Sequence, residues 1–164
     1  EVATSDIERF LGRYSIGRDS NPLDITGSLH FLRVKVPGGP TTSEQFRRLA
    51  ELAAEYGKGQ AEITDRQDIQ LHWIKAEDTL DLFSVINKLG FTTDKFGQGF
   101  SGARYGDVRN IVCCPASGIE KHEILNGHHL VKELTKFLAG NPDFLDLPRK
   151  FKVSMSECGS DCTR

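Results

Sequence analysis

The chain has 164 residues, 38% hydrophobic and 27% charged, with 10 phenylalanines, 4 cysteines and a formal net charge of -2. This composition excludes a disordered polymer and gives no basic surplus of the kind that nucleic-acid binding needs. No apolar run approaches the roughly 18–20 residues of a membrane span and no signal-peptide pattern opens the chain, so one core or two small modules in water are expected.

Residues 1–28 carry Ile7, Phe10 and Leu11, enough for a short helical turn, and then Asn21-Pro22, Asp24 and Gly27, which read as loop. The first strong strand is Leu29–Val36, with Leu32, Val34 and Val36 on one face and Arg33 and Lys35 on the other, ended by Pro37-Gly38-Gly39-Pro40. A helix follows: Thr42 and Gln45 stand three apart as a capping box needs, and Phe46, Leu49, Ala50, Ala53 and Tyr56 recur at helical spacing before Gly57 and Gly59. A strand pair, Gln60–Thr64 and Ile69–Ile74, precedes a second helix from about Asp78 to Leu89, with Leu82, Phe83, Ile86 and Leu89 inward. Strand, helix, strand, strand, helix is most of a ferredoxin-like module, one returning strand short, the missing strand coming from the N-terminal region or from later in the chain.

From Phe91 to Asp107 the composition turns glycine-rich, through Gly97, Gly99, Gly102 and Gly106, and the domain boundary is expected here, dividing 1–90 from 91–164. Strand-like Asn110–Cys113, a turn through Pro115 and Gly118, a third helix over Leu125–Leu138 and a last strand over Phe151–Ser156 complete the pattern. The chain begins at Glu1 and stops just past a cysteine pair, so a truncated polypeptide is expected. The cysteines at 113, 114, 158 and 162 do not form a secreted staple framework, which implies a reducing, cytoplasmic setting.

Three segments carry cations at the edges of strand-like runs: Thr64–Gln70 with Arg66, Asp107–Gly118 with Arg109, and Leu147–Lys152 with Lys150 and Lys152. Folding that gathered these four would make an anion site. The plainer alternatives are local pairing of Arg66 with Asp65 or Asp68 and a structural salt bridge at Arg109. Lys150 and Lys152 would share a face of an extended run, a costly arrangement unless an anion or carboxylate answers it. Cys158 and Cys162 have a spacing able to serve a metal but make only half of a four-thiolate site; Cys113 and Cys114 are adjacent, and in a strand adjacent side chains point to opposite faces. The five histidines, 30, 72, 122, 128 and 129, form no metal motif, and no phosphate-cradling glycine loop occurs.

Taken in order, Thr64-Asp65-Arg66-Gln67-Asp68-Ile69-Gln70-Leu71-His72, the Asp107–Gly118 turn and Leu147-Pro148-Arg149-Lys150-Phe151-Lys152-Val153 resemble the sirohaem-dependent nitrite and sulfite reductase family, over about Leu29 to Cys162. The resemblance implies an α+β chain, a ferredoxin-like half-domain followed by the haem-binding α/β module of a nitrite/sulfite reductase. It implies Arg66, Arg109, Lys150 and Lys152 as the cations that hold the anion and relay protons, with Arg66, Gln67, Gln70, Arg109, Asn110 and Arg149 facing the cofactor. The family's full-length enzymes use sirohaem joined to a [4Fe–4S] cluster, take electrons from ferredoxin or a flavoprotein, and reduce sulfite to sulfide or nitrite to ammonia.

One departure matters. Cys158 and Cys162 match the second thiol pair of the family's cluster site, but Ile119 and Glu120 stand where the first pair would be completed. The text resembles the first half of the double enzyme. Cluster ligands are therefore expected in a C-terminal half, and neither sirohaem nor cluster on this piece alone. Lys152, an extra cation, leans toward the doubly charged sulfite. The alternatives are a tetrapyrrole or anion binder of the same fold, as in corrinoid biosynthesis, and a ferredoxin-like interaction domain whose cations meet a partner's carboxylates.

Overall fold

The computed structural model describes residues 29–93, 108–138, 141–144, 147–148 and 151–160. The expected N-terminal turn, the glycine-rich segment from residue 94 onward, Arg149, Lys150 and Cys162 lie outside the described residues. The chain divides into two compact units, and the second takes in Lys35–Pro40 and Asp65–Asp68 as well as the chain from 94 onward.

The first unit is built on a four-stranded sheet. Its elements are β1 (Leu29–Lys35), helix α1 (Ser43–Tyr56), β2 (Ala61–Ile63), β3 (Asp68–Lys75), helix α2 (Thr79–Lys88), entered through a 3-10 turn at Ala76–Asp78, and β4 (Thr92–Thr93). The strand order is β2-β3-β1-β4, so Thr92–Thr93, directly after α2, supplies the returning strand. Antiparallel β2 and β3 pair Ala61 with Leu71 and Ile63 with Ile69.

Alternation along β1 buries Leu32 and Val34, and the helices answer with Leu49, Leu52 and Ala53 from α1 and Thr79, Leu82 and Ile86 from α2. Each fully buried leucine or isoleucine contributes roughly 1.5–3 kcal/mol. Ala50 was expected inward but is exposed, because it stands roughly 100° around the helix from Leu49. Leu52, on the stripe with Leu49 and Ala53, takes that place, and Phe46 in the first turn stays 49% exposed.

On β3 the alternation that buries Ile69 and Leu71 would carry Trp73 inward, yet Ile74 is the buried residue. Trp73 has φ 61, a left-handed conformation, and this shifts the inward register by one. Such a residue costs roughly 1–2 kcal/mol. The Lys58 ammonium lies 5.4 Å from the Trp73 ring centroid, a partial offset.

The capping box forms as the sequence requires. The Thr42 hydroxyl accepts from the Gln45 amide (3.1 Å), the Thr42 amide donates to Gln45 Oε1 (3.0 Å), and Gln45 Nε2 donates to the carbonyl of Leu89 (2.8 Å). One side chain thus caps α1 and ties it to the end of α2. Thr42→Ala is expected to lower stability by about 1 kcal/mol, read as a lower urea midpoint, with Thr42→Ser close to wild type.

The second unit is a strand–helix–strand unit: β5 (Val112–Cys113), helix α3 (Gly127–Leu138) and β6 (Ser154–Met155), with a 3-10 turn at Pro142–Phe144. The strands run parallel, pairing Val112 with Ser154 and Cys113 with Met155, which a crossover helix permits and a tight turn does not. Val108, Ile111, Cys113, Val131 and Leu138 form its core, packed by Leu134, Phe144, Leu147, Val153 and Met155. The last strand is shorter than expected. Val112 N–H donates to the Val153 carbonyl (3.2 Å) and Arg109 N–H to that of Phe151 (3.3 Å), so the pairing extends past β6 without a full ladder.

Candidate functional site

The segment from Val108 to Cys113 is the backbone of the site, and two turns of the same unit grip it. From the Lys35–Pro40 turn, buried Lys35 donates through Nζ to the Val108 carbonyl (2.7 Å), and Gly38 N–H donates to the Ile111 carbonyl (3.0 Å). From the Asp65–Asp68 turn, Gln67 behaves as a one-residue strand. Its Oε1 accepts from the Cys113 amide (3.0 Å) and its Nε2 donates to the Cys113 carbonyl (2.8 Å). Gln67 has φ 60, and a Cβ built on Gly39 (φ 90) would stand 3.3 Å from its side chain. Glycine at 39 meets both demands, a left-handed backbone and a close approach.

Asn110 returns the grip. It is 2% exposed, and its Nδ2 donates to the carbonyls of Val36 (3.1 Å) and Arg66 (2.9 Å), with Gln67 O at 3.4 Å. Three carbonyls around one group fix which end of the amide is the nitrogen. The two turns and the central segment are therefore clasped in both directions, Gln67 reading the backbone of Cys113 and Asn110 reading those of Val36 and Arg66.

Arg66 and Arg109 are both half-buried and both belong to this unit, Arg66 with its carbonyl held by Asn110 and Arg109 with its amide on Phe151. Lys152, beside Phe151 in the chain, is exposed and precedes β6 rather than lying on it. Lys150 and Arg149 lie outside the described residues. Gln70 falls in the first unit, where its Oε1 accepts from Arg33 Nε (2.9 Å) and its Nε2 faces Glu62 Oε2 (3.3 Å) and His72 Nε2 (3.1 Å). Arg33 and Lys35 read in the sequence only as the outward face of a strand. The doubled glycine after them was the available sign of a tight approach.

The cysteines are not alike. Cys113 and Cys114 are both buried, Cys158 is half-buried, and Cys162 lies outside the described residues. The Cys113 thiol donates to the Glu157 carboxylate. Burial first, and the bond to Glu157 second, push this thiol up to about 12, against a smaller lowering by Ser117. A cluster ligand must be a thiolate; beside a buried carboxylate this sulfur does not fit that role. Among the described residues no group of three or more histidine, cysteine or acidic side chains is placed to hold a metal ion, and no helix is long and apolar enough to cross a membrane.

A half-domain with two helices on a four-stranded sheet, followed by a parallel strand–helix–strand module in which Arg66 and Arg109 flank the clasped segments, defines an α+β class. Comparison with known proteins gives the family. Residues 25–89 match the nitrite/sulfite reductase ferredoxin-like half domain, and residues 105–164 match the nitrite and sulphite reductase 4Fe-4S domain. The chain belongs to the nitrite/sulfite reductase family. It is 36% identical over 132 residues to the ferredoxin–nitrite reductase of Leptolyngbya laminosa, with 77% of this chain and 24% of that protein covered. It is 29% identical over 139 residues to the ferredoxin sulfite reductase of Mycobacterium tuberculosis, with 84% and 24% covered. The solved structure of the Mycobacterium tuberculosis NirA protein superposes with a TM-score of 0.68 at 28% identity, over 78% of this chain and 22% of that one. The chain thus spans about a quarter of the length of the curated relatives it matches.

Proposed function

We propose that this chain is the anion-binding first portion of a reductase that takes sulfite or nitrite, with Arg66, Arg109, Lys150 and Lys152 as the cations that meet the oxyanion. The observation that carries this is the reciprocal clasp, in which Gln67 and Asn110 fix the backbones of the two motif segments that bear Arg66 and Arg109. Preorganised cations act best where an oxyanion gathers charge as its oxygens leave as water, because nothing then has to reorganise during the reaction. Guanidinium groups suit this role, holding planar or pyramidal oxyanions through paired N–H donors, while lysine adds a mobile charge and a proton source.

Sirohaem, when bound in the full-length protein, would supply the multi-electron reduction, and a carboxylate-rich tetrapyrrole fits a surface whose half-buried cations are arginines. Arg66, Arg109 and Arg149 would hold it. Gln67 and Asn110 would serve it through backbone placement, their amides being engaged with main chain. Ferredoxin as donor is named for the relatives, and a flavoprotein is the other class considered.

The test is the absorption spectrum and iron and acid-labile sulfide content of the anaerobically purified full-length protein. Tetrapyrrole bands with about five irons and about four sulfides per chain are expected. Absence of both chromophores would defeat the reductase reading and favour an interaction domain; tetrapyrrole without sulfide would favour a noncatalytic binder.

A further inference from the structure

Glu157 takes no part in the anion reading, yet it is 3% exposed and meets β5, α3 and the loop between them. Its carboxylate accepts the Cys113 thiol of β5, and its main-chain carbonyl accepts the Ile124 N–H (2.8 Å). Its side chain lies against Gly127, the first residue of α3. A Cβ built on Gly127 would overlap Glu157 Oε1 and stand 2.6 Å from Cδ and 2.8 Å from Cγ, so a side chain at 127 would displace the carboxylate from its place. A carboxylate at the first turn of a 12-residue helix also meets the positive end of the helix dipole. Glu157 directly precedes Cys158 in the chain.

We propose that in this copy of the 4Fe-4S domain the Glu157 carboxylate does the fastening that a cluster would otherwise do. It joins β5 through Cys113 and α3 through Gly127 to the segment that carries Cys158. Cys113 is thereby removed from any ligand set, since its sulfur faces an anion and not an open metal position. The inference rests on family membership and on this geometry. It does not depend on the proposed reduction, and it stands whichever anion the whole protein takes.

The test uses the 164-residue chain with G127A, E157A and the double variant, compared by thermal melting. G127A is expected to lower the melting temperature by roughly 5–10 °C, and the double variant to melt close to E157A, because removing the carboxylate makes room for the added methyl. If G127A does not accumulate, recovery of folded double variant is the same result. An equal penalty from G127A in both backgrounds, or a double variant that fails while E157A alone folds, overturns the proposal. Anaerobic incubation with ferrous iron, sulfide and dithiothreitol gives an independent arm. Wild type is expected to gain no iron–sulfur absorption, and sulfide-matched iron that Cys113→Ser removes would overturn the proposal as well.

Discussion

Asn110→Leu is expected to destabilise the chain by roughly 1–3 kcal/mol, seen as a lower urea midpoint by far-UV circular dichroism. The isosteric change removes both donors of a 2%-exposed amide and takes away the side-chain partner of the Arg66 carbonyl, while the Val36 carbonyl keeps the Gly39 N–H (2.9 Å). Each acceptor stranded in this way costs about 1–3 kcal/mol, more than the net worth of the bond that was lost. Asn110→Asp is expected to do no better, although its shape is the same, because it offers oxygen to oxygen and adds a buried charge. Asn110→Gln retains the donors but carries them one methylene further, into a space already filled, and should fall between. Equal stability of Leu and wild type would show that the three carbonyls find other partners and that the clasp does not hold the Arg66 turn.

That clasp marks the limit of what the sequence displays. Capping at Thr42 and Gln45, the Leu32/Val34 face and the Leu82/Ile86 stripe are local patterns of period two or three to four, so they were legible directly. The Trp73 register shift was not, because nothing in Ile69–Ile74 announces a left-handed residue at 73. Three motif segments stood out by residue type, but their relation depends on bonds between residues 67 and 113 and between 110 and 36 or 66, which no periodicity encodes. Gln67 and Asn110 read as cofactor-facing only as the family resemblance implies, not by any local pattern. Their amides turn instead to backbone, and Arg66 and Arg109 are the groups placed by that choice. Buried Lys35 and Glu157 were the hardest to see, since a charged residue in a short strand or after one ordinarily reads as solvent-facing, and each is buried only because a distant carbonyl or thiol meets it.

The buried thiol gives stability a dependence on alkaline pH. Cys113 ordinarily ionises near 9.0, the value for the unfolded chain, and in the fold it is pushed up to about 12 by burial and by the Glu157 carboxylate. Between these values the folded chain keeps a proton that the unfolded chain releases, so stability falls as pH rises. The contribution is fully present below pH 9 and is lost through the window up to about 12, the loss having a ceiling of roughly 4 kcal/mol. Tyrosines and lysines also titrate there, so the clean reading is a difference between wild type and Cys113→Ala. At about pH 8 the variant should be less stable, having lost core packing and the thiol that answers Glu157. By about pH 11 the gap should narrow or reverse, because the variant has no thiol whose ionisation favours unfolding. Urea midpoints for both proteins at the two pH values decide it: an unchanged gap would mean that the Cys113 proton is not held by the fold.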